Sequence, residues 1–304
     1  MSIVRHDAGP MAVRGAAPAV GPREAEPWTW LNMTAPCRTF VDATECGIEW
    51  TQWLMADALV RPDDTVLELG ARFGTTSCAL AAATNNSGRV ISVEPDAAVH
   101  AALLANRAAH HCRFHAVLGV VSSAAMAMVP DGPQSYATQT AVLAPDTPDA
   151  PSERQARLPS IAPDALQRAL GLRIDVLLVD CEGCLRPLLE HDSALVRQAR
   201  LLMLEEDGAA SRREYDGWYD TLRVYGFRCV WRAREAYPMS WARHVMHSAW
   251  SRDPLGDRLD CPRYARLFRL SRRELRCVTH VGRTPVPPRR DGSWNCQGND
   301  AHAR

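Results

Sequence analysis

The sequence predicts a doubly wound α/β fold with a mostly parallel sheet, because short apolar runs alternate with helical segments along the middle of the chain. Runs at residues 65–70, 89–94, 174–180 and 201–205 are rich in Val, Ile and Leu, as strands buried on both faces are. With 304 residues, of which 46% are hydrophobic, the chain can form one large core plus terminal extensions. We therefore expect one Rossmann-like domain.

Composition divides the chain into three parts. Residues 1–40 are rich in Pro, Gly and Ala without periodicity, so we expect a disordered N-terminal extension. Residues 41–235 carry the alternating strands and helices. Residues 236–304 are expected to form a C-terminal extension, which completes the sheet with an edge strand at 264–270 or 277–281 and ends in a basic tail.

A helix is expected to open the central domain near Asp42. The order Asp42-Ala-Thr-Glu45 suits a capping box, and Trp50 and Trp53 recur at helical spacing on a face that we expect in the core. The segments that follow are expected to be strand 65–70, helix 75–84, strand 89–94, helix 97–109 and strand 112–118.

The segment from Pro130 to Pro159 interrupts this alternation, and its Pro, Asp, Ser and Thr content predicts a long loop or flap. The alternation resumes with helix 161–170, strand 174–180, helix 185–198, strand 201–205, helix 215–225 and strand 227–231. Residues 241–250 are expected to form a helix, from which His244 and His247 could reach the functional edge of the sheet.

The turn from Glu68 to Gly74 indicates the ligand. Dinucleotide sites use G-x-G-x-x-G, since a pyrophosphate must approach bare backbone at a helix N-terminus. Here an acid precedes Gly70, and Arg72 stands where the second glycine would be. The acid repels phosphate and suits the ammonium of S-adenosylmethionine (SAM). Gly70 and Gly74 let the backbone approach a ligand, and Glu94 is placed for the ribose hydroxyls. We therefore expect a SAM site.

Other interpretations of this turn stay open. A glycine turn with no ligand has the same pattern, and a protein can keep the fold and bind SAM or another nucleoside without catalysis. A nicotinamide-dependent oxidoreductase is disfavoured by the missing G-x-G-x-x-G. Methylation of a base amino group is disfavoured because the turn Asp180–Gly183 lacks the [DN]-P-P-[YFW] sequence that such enzymes use.

Acidic residues follow two of the predicted central strands. Asp180 and Glu182 end one strand, and Glu205, Glu206 and Asp207 end the next, so they are expected to converge at the carboxyl edge of the sheet. In one arrangement Asp180 or Glu182 is a general base for a hydroxyl. In the other, Asp180 with Glu205 or Glu206 binds Mg²⁺. We prefer the metal-free base.

Two stretches resemble the FkbM family of SAM-dependent methyltransferases. In that family a short helix precedes a strand of the form I-D-hydrophobic-K-hydrophobic-D-x-E-G, and residues 158–166 with 174–183 are similar to this pattern. The turn Glu68–Gly74 is similar to the family's G-A-x-x-G motif. The resemblance covers about residues 42–231. Leu178 replaces the usual lysine and the flap is longer, which leaves the acceptor open.

This resemblance implies the class I SAM-methyltransferase fold and O-methylation of a hydroxyl on a small molecule or glycan. It implies catalytic roles for Asp180 and Glu182. The cofactor-binding residues that it implies are Glu68, Gly70, Ala71, Gly74, Glu94 and Asp180. Nucleic acid is not expected as a partner, no metal ligand set is assigned, and the oligomeric state stays open.

Charge and cysteine content limit the class of protein. Lysine is absent, and the 35 basic side chains, all Arg, balance 35 acidic ones. Without an apolar run of membrane-spanning length or a secretory signal, a soluble cytoplasmic protein is expected, although the arginines among the first residues also suit an organelle transit peptide.

The ten cysteines are expected to be reduced thiols. Cys181 and Cys184 lack a second ligand pair, so we expect a structural role rather than a zinc or redox site.

Overall fold

The computed structural model describes residues 2–5, 40–41, 49–129, 139–143, 156–206, 210–235 and 245–253. Most of both predicted extensions lies outside these residues, including the edge strands proposed at 264–270 and 277–281 and the basic tail. The capping box at Asp42, Asp207 and His244 also lie outside them.

The strands and helices follow the alternation that the sequence predicts. The strands are β1 (Ser2–Val4), β2 (Val66–Leu69), β3 (Val90–Glu94), β4 (Phe114–Leu118), β5 (Val120–Val121), β6 (Met126–Val129), β7 (Gln139–Val142), β8 (Ala156–Arg157), β9 (Ser160–Ile161), β10 (Val176–Val179), β11 (Leu201–Glu206), β12 (Arg228–Arg234) and β13 (Met246–Ser251). The helices are α1 (Trp50–Leu59), α2 (Thr75–Ala83), α3 (Ala97–Ala109), α4 (Pro163–Leu170), α5 (Leu185–His191), α6 (Ser193–Gln198) and α7 (Arg212–Val224).

Eight strands form one sheet in the order β1-β4-β3-β2-β10-β11-β13-β12. The five strands from β4 to β11 run parallel, whereas β13 is antiparallel to both of its neighbours. The strand order reverses between β2 and β10, which is where a doubly wound sheet opens its ligand crevice. We call the space outside the carboxyl ends of β2, β3, β4 and β10 the crevice.

Successive residues of each central strand face opposite sides of the sheet and feed two cores. On one side, Val66, Val176 and Met203 pack with the buried faces of α1, α2 and α3. On the other side, Leu67 and Leu177 pack with α4, α5, α6 and α7. Both faces are therefore covered by helices, which confirms the doubly wound prediction.

Several element predictions need correction. The predicted helix at 185–198 is two helices, since the chain breaks at Asp192, whose carboxylate accepts the Ser123 N–H at 3.0 Å. Within the predicted helix at 241–250, the described residues from Met246 onward instead belong to the strand β13, which is buried between β11 and β12. Ser2–Val4, expected to be disordered, pairs as an edge strand with β4.

The predicted flap contains ordered secondary structure. β6, β7 and β8 form a small antiparallel sheet in the order β7-β6-β8, and we call these three strands the flap sheet. Beside it, β5 pairs with β9 in a separate two-stranded sheet. The interruption of the α/β alternation was predicted, but these strands were not.

The expectation of reduced thiols is wrong for two pairs of cysteines. Cys78 in α2 is bridged to Cys112 before β4, with their Cα atoms 5.2 Å apart. Cys181 is bridged to Cys184, with Cα atoms 5.5 Å apart. Tertiary packing brings the first pair together, and the turn after β10 brings the second pair together.

None of the described helices has the length and apolarity that a bilayer crossing requires.

Candidate functional site

The turn after β2 has the backbone that the glycine pattern predicts. Gly70 and Gly74 have φ values of 94° and 82°, in the left-handed region. Arg72 adopts a left-handed conformation as well, with φ 44°, at the position where a dinucleotide site would have glycine. The N–H groups of Gly70 and Ala71 both donate to the Val93 carbonyl oxygen, at 3.0 and 2.9 Å. The turn is thereby fixed over the end of β3.

Gly70 is required for a different reason from the one that the sequence suggests. The sequence suggests that Gly70 lets the backbone approach a ligand, but a Cβ atom at this position would lie 1.5 Å from the Asp180 carbonyl oxygen. It would also lie 3.3 Å from the Cys181 Cα atom. The missing side chain therefore lets the turn after β2 pack directly on the turn after β10.

Glu68 is enclosed beneath the turn. Its side chain has 0% exposure, and its Oε2 atom accepts a hydrogen bond from the Ser77 hydroxyl at 2.5 Å. Burial raises the pKa of Glu68 to about 8, although the Ser77 hydroxyl opposes that rise. The Ser92 hydroxyl, from the neighbouring strand β3, also opposes the rise.

This raised pKa predicts a dependence of stability on pH. Glu68 keeps its proton in the folded state up to about pH 8, whereas the unfolded carboxyl releases it near pH 4.5. The folded state therefore binds more protons in this window, and the free energy of unfolding falls as the pH rises through it. Between pH 6 and 7 this contribution is about 1 kcal/mol. Urea unfolding should show that Glu68→Gln removes this contribution to the pH dependence of the free energy of unfolding, because glutamine does not ionise.

The control for this experiment is Glu190→Gln, which changes a carboxylate that is 50% exposed on α5. It should keep the wild-type dependence on pH. If the free energy of unfolding depended on pH equally in Glu68→Gln and wild type, Glu68 would titrate normally in the folded protein.

Glu94 ends β3 beside the turn and is only 2% exposed. Its Oε2 atom accepts the Arg72 N–H at 2.7 Å, and its Oε1 atom accepts the Asp96 N–H at 2.8 Å. Burial raises its pKa to about 7, and the two backbone hydrogen bonds oppose that rise. Each carboxylate oxygen keeps a second lone pair, so Glu94 can still accept bonds from two hydroxyls.

The acids after β10 and β11 converge only in part. The amide nitrogen of Gln52, on α1, donates to Asp180 Oδ2 at 2.5 Å and to Glu205 Oε2 at 2.7 Å. Burial, and next the nearby charge of Asp180, raise the pKa of Glu205 well above its usual range. The charge of Glu182 also raises the pKa of Glu205, although more weakly. Gln52, Asp180 and Glu205 therefore form one partly buried group at the carboxyl edge.

Glu206 does not belong to that group, contrary to the expectation from sequence. Its two carboxylate oxygens accept from Arg232 Nε at 2.7 Å and Arg232 Nη2 at 2.5 Å. Glu205 and Glu206 are consecutive in β11, so their side chains leave on opposite faces of the sheet. Only Glu205 faces α1. Within the residues that the structure describes, no three His, Cys, Asp or Glu side chains are grouped to hold a metal ion.

His247 reaches the site from β13, where strand pairing places it opposite Glu205. Its Nδ1 atom lies 3.8 Å from Glu205 Oε2, and its Nε2 atom lies 3.0 Å from Glu235 Oε2. The His247 Nε2 and Glu235 Oε2 atoms are close, but their geometry is not that of a hydrogen bond. The Thr51 hydroxyl donates to Glu235 at 2.8 Å. His247 is therefore buried behind the group that Gln52, Asp180 and Glu205 form.

Two polar residues, Glu49 immediately before α1 and Gln52 within it, were missed by the sequence analysis. Glu49 accepts hydrogen bonds from the hydroxyls of Thr75 and Thr76 at the start of α2, and burial raises its pKa. Gln52 bridges Asp180 and Glu205. The two lie three residues apart, and therefore on the same face of a helix that is otherwise mostly apolar. That spacing was the signal available in the sequence.

An opening of about 420 Å³, part of it open to solvent, lies in the crevice. The ends of β2, β3 and β4 line one side, and the turn after β10 lines the other. Its lining is mostly apolar and includes Gly70, Val93, Pro95, Val120, Thr140 and Cys181. Such a lining suits a flat, largely apolar ring system.

Solved structures with similar backbones include three examples. Precorrin-6y C5,15-methyltransferase from Geobacter metallireducens has 12% identity and TM-score 0.39, covering 67% of this chain and 86% of that one. M. jannaschii TYW2 in complex with AdoMet has 10% identity and TM-score 0.37, covering 69% and 77%. A NADB-Rossmann superfamily protein from Streptococcus agalactiae has 12% identity and TM-score 0.40, covering 68% and 70%.

Likenesses this distant do not identify an activity. A scan against models of known protein families finds no match, and a search among curated proteins finds none either. The resemblance to the FkbM family therefore stays a hypothesis.

Proposed function

We propose that the protein is a SAM-dependent methyltransferase whose cofactor lies in the crevice. The observation that carries this proposal is the turn after β2, where two glycines with positive φ lie between the buried acid Glu68 and the strand-end acid Glu94. This turn stands beside the position where the strand order reverses, between β2 and β10. An antiparallel strand, β13, is inserted next to the last strand, as in the class I variant of the Rossmann-like fold.

The charges at the turn favour SAM over a dinucleotide. A pyrophosphate needs bare backbone and positive potential at a helix N-terminus. Here the carboxylate of Glu49 already occupies the first turn of α2 by accepting from Thr75 and Thr76. Glu68 and Glu94 add two more acids around the turn. These three carboxyl groups occupy the place where a pyrophosphate needs hydrogen-bond donors, whereas SAM carries an ammonium and a sulfonium and has no phosphate.

Asp180 is the base that we assign to the acceptor hydroxyl. Asp180 and Glu205 are both partly exposed at the carboxyl edge of the sheet. Burial and the nearby charge of Asp180 raise the pKa of Glu205, so we assign the negative charge of the pair to Asp180. Gln52 orients both carboxyls by donating to each. Glu182 is in the adjacent turn, and we propose that it contacts the acceptor.

Bound SAM supplies an electrophilic methyl carbon that is attached to a good leaving group, the thioether of S-adenosylhomocysteine (SAH). The chain's part is to align the acceptor oxygen and to remove its proton. Asp180 accepts that proton as the oxygen–methyl bond forms. Gly70 packs against the Asp180 carbonyl, so the base and the cofactor turn are held in fixed relation.

We propose a hydroxyl on a small molecule or glycan as the acceptor, in line with the FkbM resemblance. The charges of Asp180 and Glu182 both raise the pKa of Glu205, and together these acids concentrate negative potential at the acceptor side. Such potential disfavours the phosphates of a nucleic acid. An uncharged polyol or glycan meets no such repulsion.

SAH formation tests this function. The protein is incubated with SAM and, separately, a polyol mixture, an oligosaccharide mixture and transfer RNA, and SAH is measured by mass spectrometry. We expect SAH to accumulate with a hydroxyl compound and not with RNA. Accumulation with RNA alone would overturn the acceptor class. Binding of SAH without turnover on any acceptor would indicate a non-catalytic binding protein.

A further inference from the structure

The turn after β10 is bridged by the Cys181–Cys184 disulfide and carries two residues in left-handed conformations. Glu182 has φ 43° and Gly183 has φ 103°. A left-handed conformation is unfavourable for a residue with a side chain, so Glu182 holds it only while the surrounding structure imposes it. The disulfide joins the residues on both sides of Glu182 and Gly183 and is therefore placed to impose it.

This turn connects the flap sheet to the cofactor turn. On one side, the Thr140 N–H of β7 donates to the Glu182 carbonyl at 3.0 Å, and the Thr140 hydroxyl donates to the Cys181 carbonyl at 3.4 Å. On the other side, Gly70 packs against the Asp180 carbonyl and the Cys181 Cα atom. A change in the turn would therefore reach both the flap sheet and the crevice.

The disulfide is accessible to a reductant. Cys181 and Cys184 are both partly exposed and both line the crevice opening, as Thr140 does. The Cys78–Cys112 bridge differs, because Cys78 in α2 is only 2% exposed, although Cys112 is partly exposed. Of these two bridges between described residues, one lies at the crevice and the other lies away from it.

We propose that the Cys181–Cys184 pair is a thiol–disulfide modification site that couples the flap sheet to the crevice. The co-reactant is a dithiol. One thiolate of the dithiol attacks a sulfur of the bridge and forms a mixed disulfide, which releases the other cysteine as a thiol. The second thiolate of the dithiol then resolves the mixed disulfide. The protein gains two electrons and two protons, and the dithiol becomes a disulfide.

Reduction releases the constraint on Glu182, which relaxes from its left-handed conformation and moves the two carbonyls that Thr140 binds. The flap sheet then loses its attachment at the crevice. The oxidised form is thus the one in which the flap sheet is attached to the turn after β10 and the cofactor site is tighter. This replaces our expectation that the pair has only a structural role, and its effect on cofactor affinity rests on the proposed function.

Hydrogen exchange of the full chain tests the coupling without any ligand. After reduction with dithiothreitol, the amide of Thr140 should exchange at least about tenfold faster, because its hydrogen bond to the turn is lost. Cys181→Ala/Cys184→Ala should show the fast rate with or without dithiothreitol. The matched control, Cys78→Ala/Cys112→Ala, should keep the response of wild type.

Calorimetric titration with SAH gives the second readout. Reduction should weaken binding by about threefold to tenfold in wild type and not in Cys181→Ala/Cys184→Ala. Equal Thr140 exchange in oxidised and reduced wild type would overturn the proposal, as would a response that persists without both cysteines. A Thr140 response in a protein that never binds SAH would leave the redox site standing and refute the proposed function instead.

Discussion

Asp180→Asn should lower kcat by roughly 10²–10⁴ while SAH affinity stays within a few-fold of wild type. Asparagine matches the shape of aspartate and keeps an oxygen that can accept from Gln52, so the local hydrogen bond persists. It does not accept the acceptor's proton at neutral pH. The loss should therefore fall on turnover, measured as SAH formation with an acceptor that the wild type methylates.

Asp175→Asn is the matched control for this variant. Asp175 precedes the same strand at its opposite end, where its carboxylate accepts the Thr65 N–H at 3.1 Å, far along the strand from the crevice. Its kcat should stay near that of wild type. Near-normal turnover of Asp180→Asn would mean that Asp180 is a strand-end residue without a part in proton removal.

Glu94→Ala should weaken binding of SAM and SAH by roughly 2–4 kcal/mol, or about 30-fold to 1000-fold. Two contributions add in this variant. The ribose loses two charge-assisted hydrogen bonds. The N–H groups of Arg72 and Asp96 also lose the carboxylate that fixes the turn. Glu94→Gln should fall between wild type and Glu94→Ala, since its single amide oxygen can replace only one of the two acceptors.

The central strands could be predicted from sequence because their signal is local. Val66–Leu69 and Val176–Val179 are continuous apolar runs that end at turn residues, and burial on both faces produces that pattern wherever it occurs. The turn from Gly70 to Gly74 was likewise predictable, because its left-handed backbone restricts the residue types that fit.

β13 was predicted wrongly for a physical reason. Met246–Ser251 lies between two strands and is buried along most of its length, so it shows no alternation of polar and apolar residues. His247 and Trp250 stand three residues apart, a spacing that also suits a helix. Pairing with β11 and β12 makes this segment a strand. The local sequence of a short segment does not show which strands it will pair with.

The grouping at the site could be predicted only in part. The convergence of Asp180 and Glu205 follows from parallel strands that end at one edge, which the sequence does indicate. Gln52 was missed because its two partners lie 128 and 153 residues away in the chain. Glu206 was wrongly included, since the facing direction of a strand's last residue depends on register with its neighbours.

Calorimetric titration of wild type with SAH, beside the same titration with NAD⁺, tests the central claim most directly. The crevice should bind SAH with micromolar affinity, about −8 kcal/mol, and should not bind NAD⁺ measurably, because the turn presents carboxyl groups where its pyrophosphate needs hydrogen-bond donors. Binding of NAD⁺ in preference to SAH, or equal SAH affinity in wild type and Glu94→Ala, would contradict the assignment of the crevice as a SAM site.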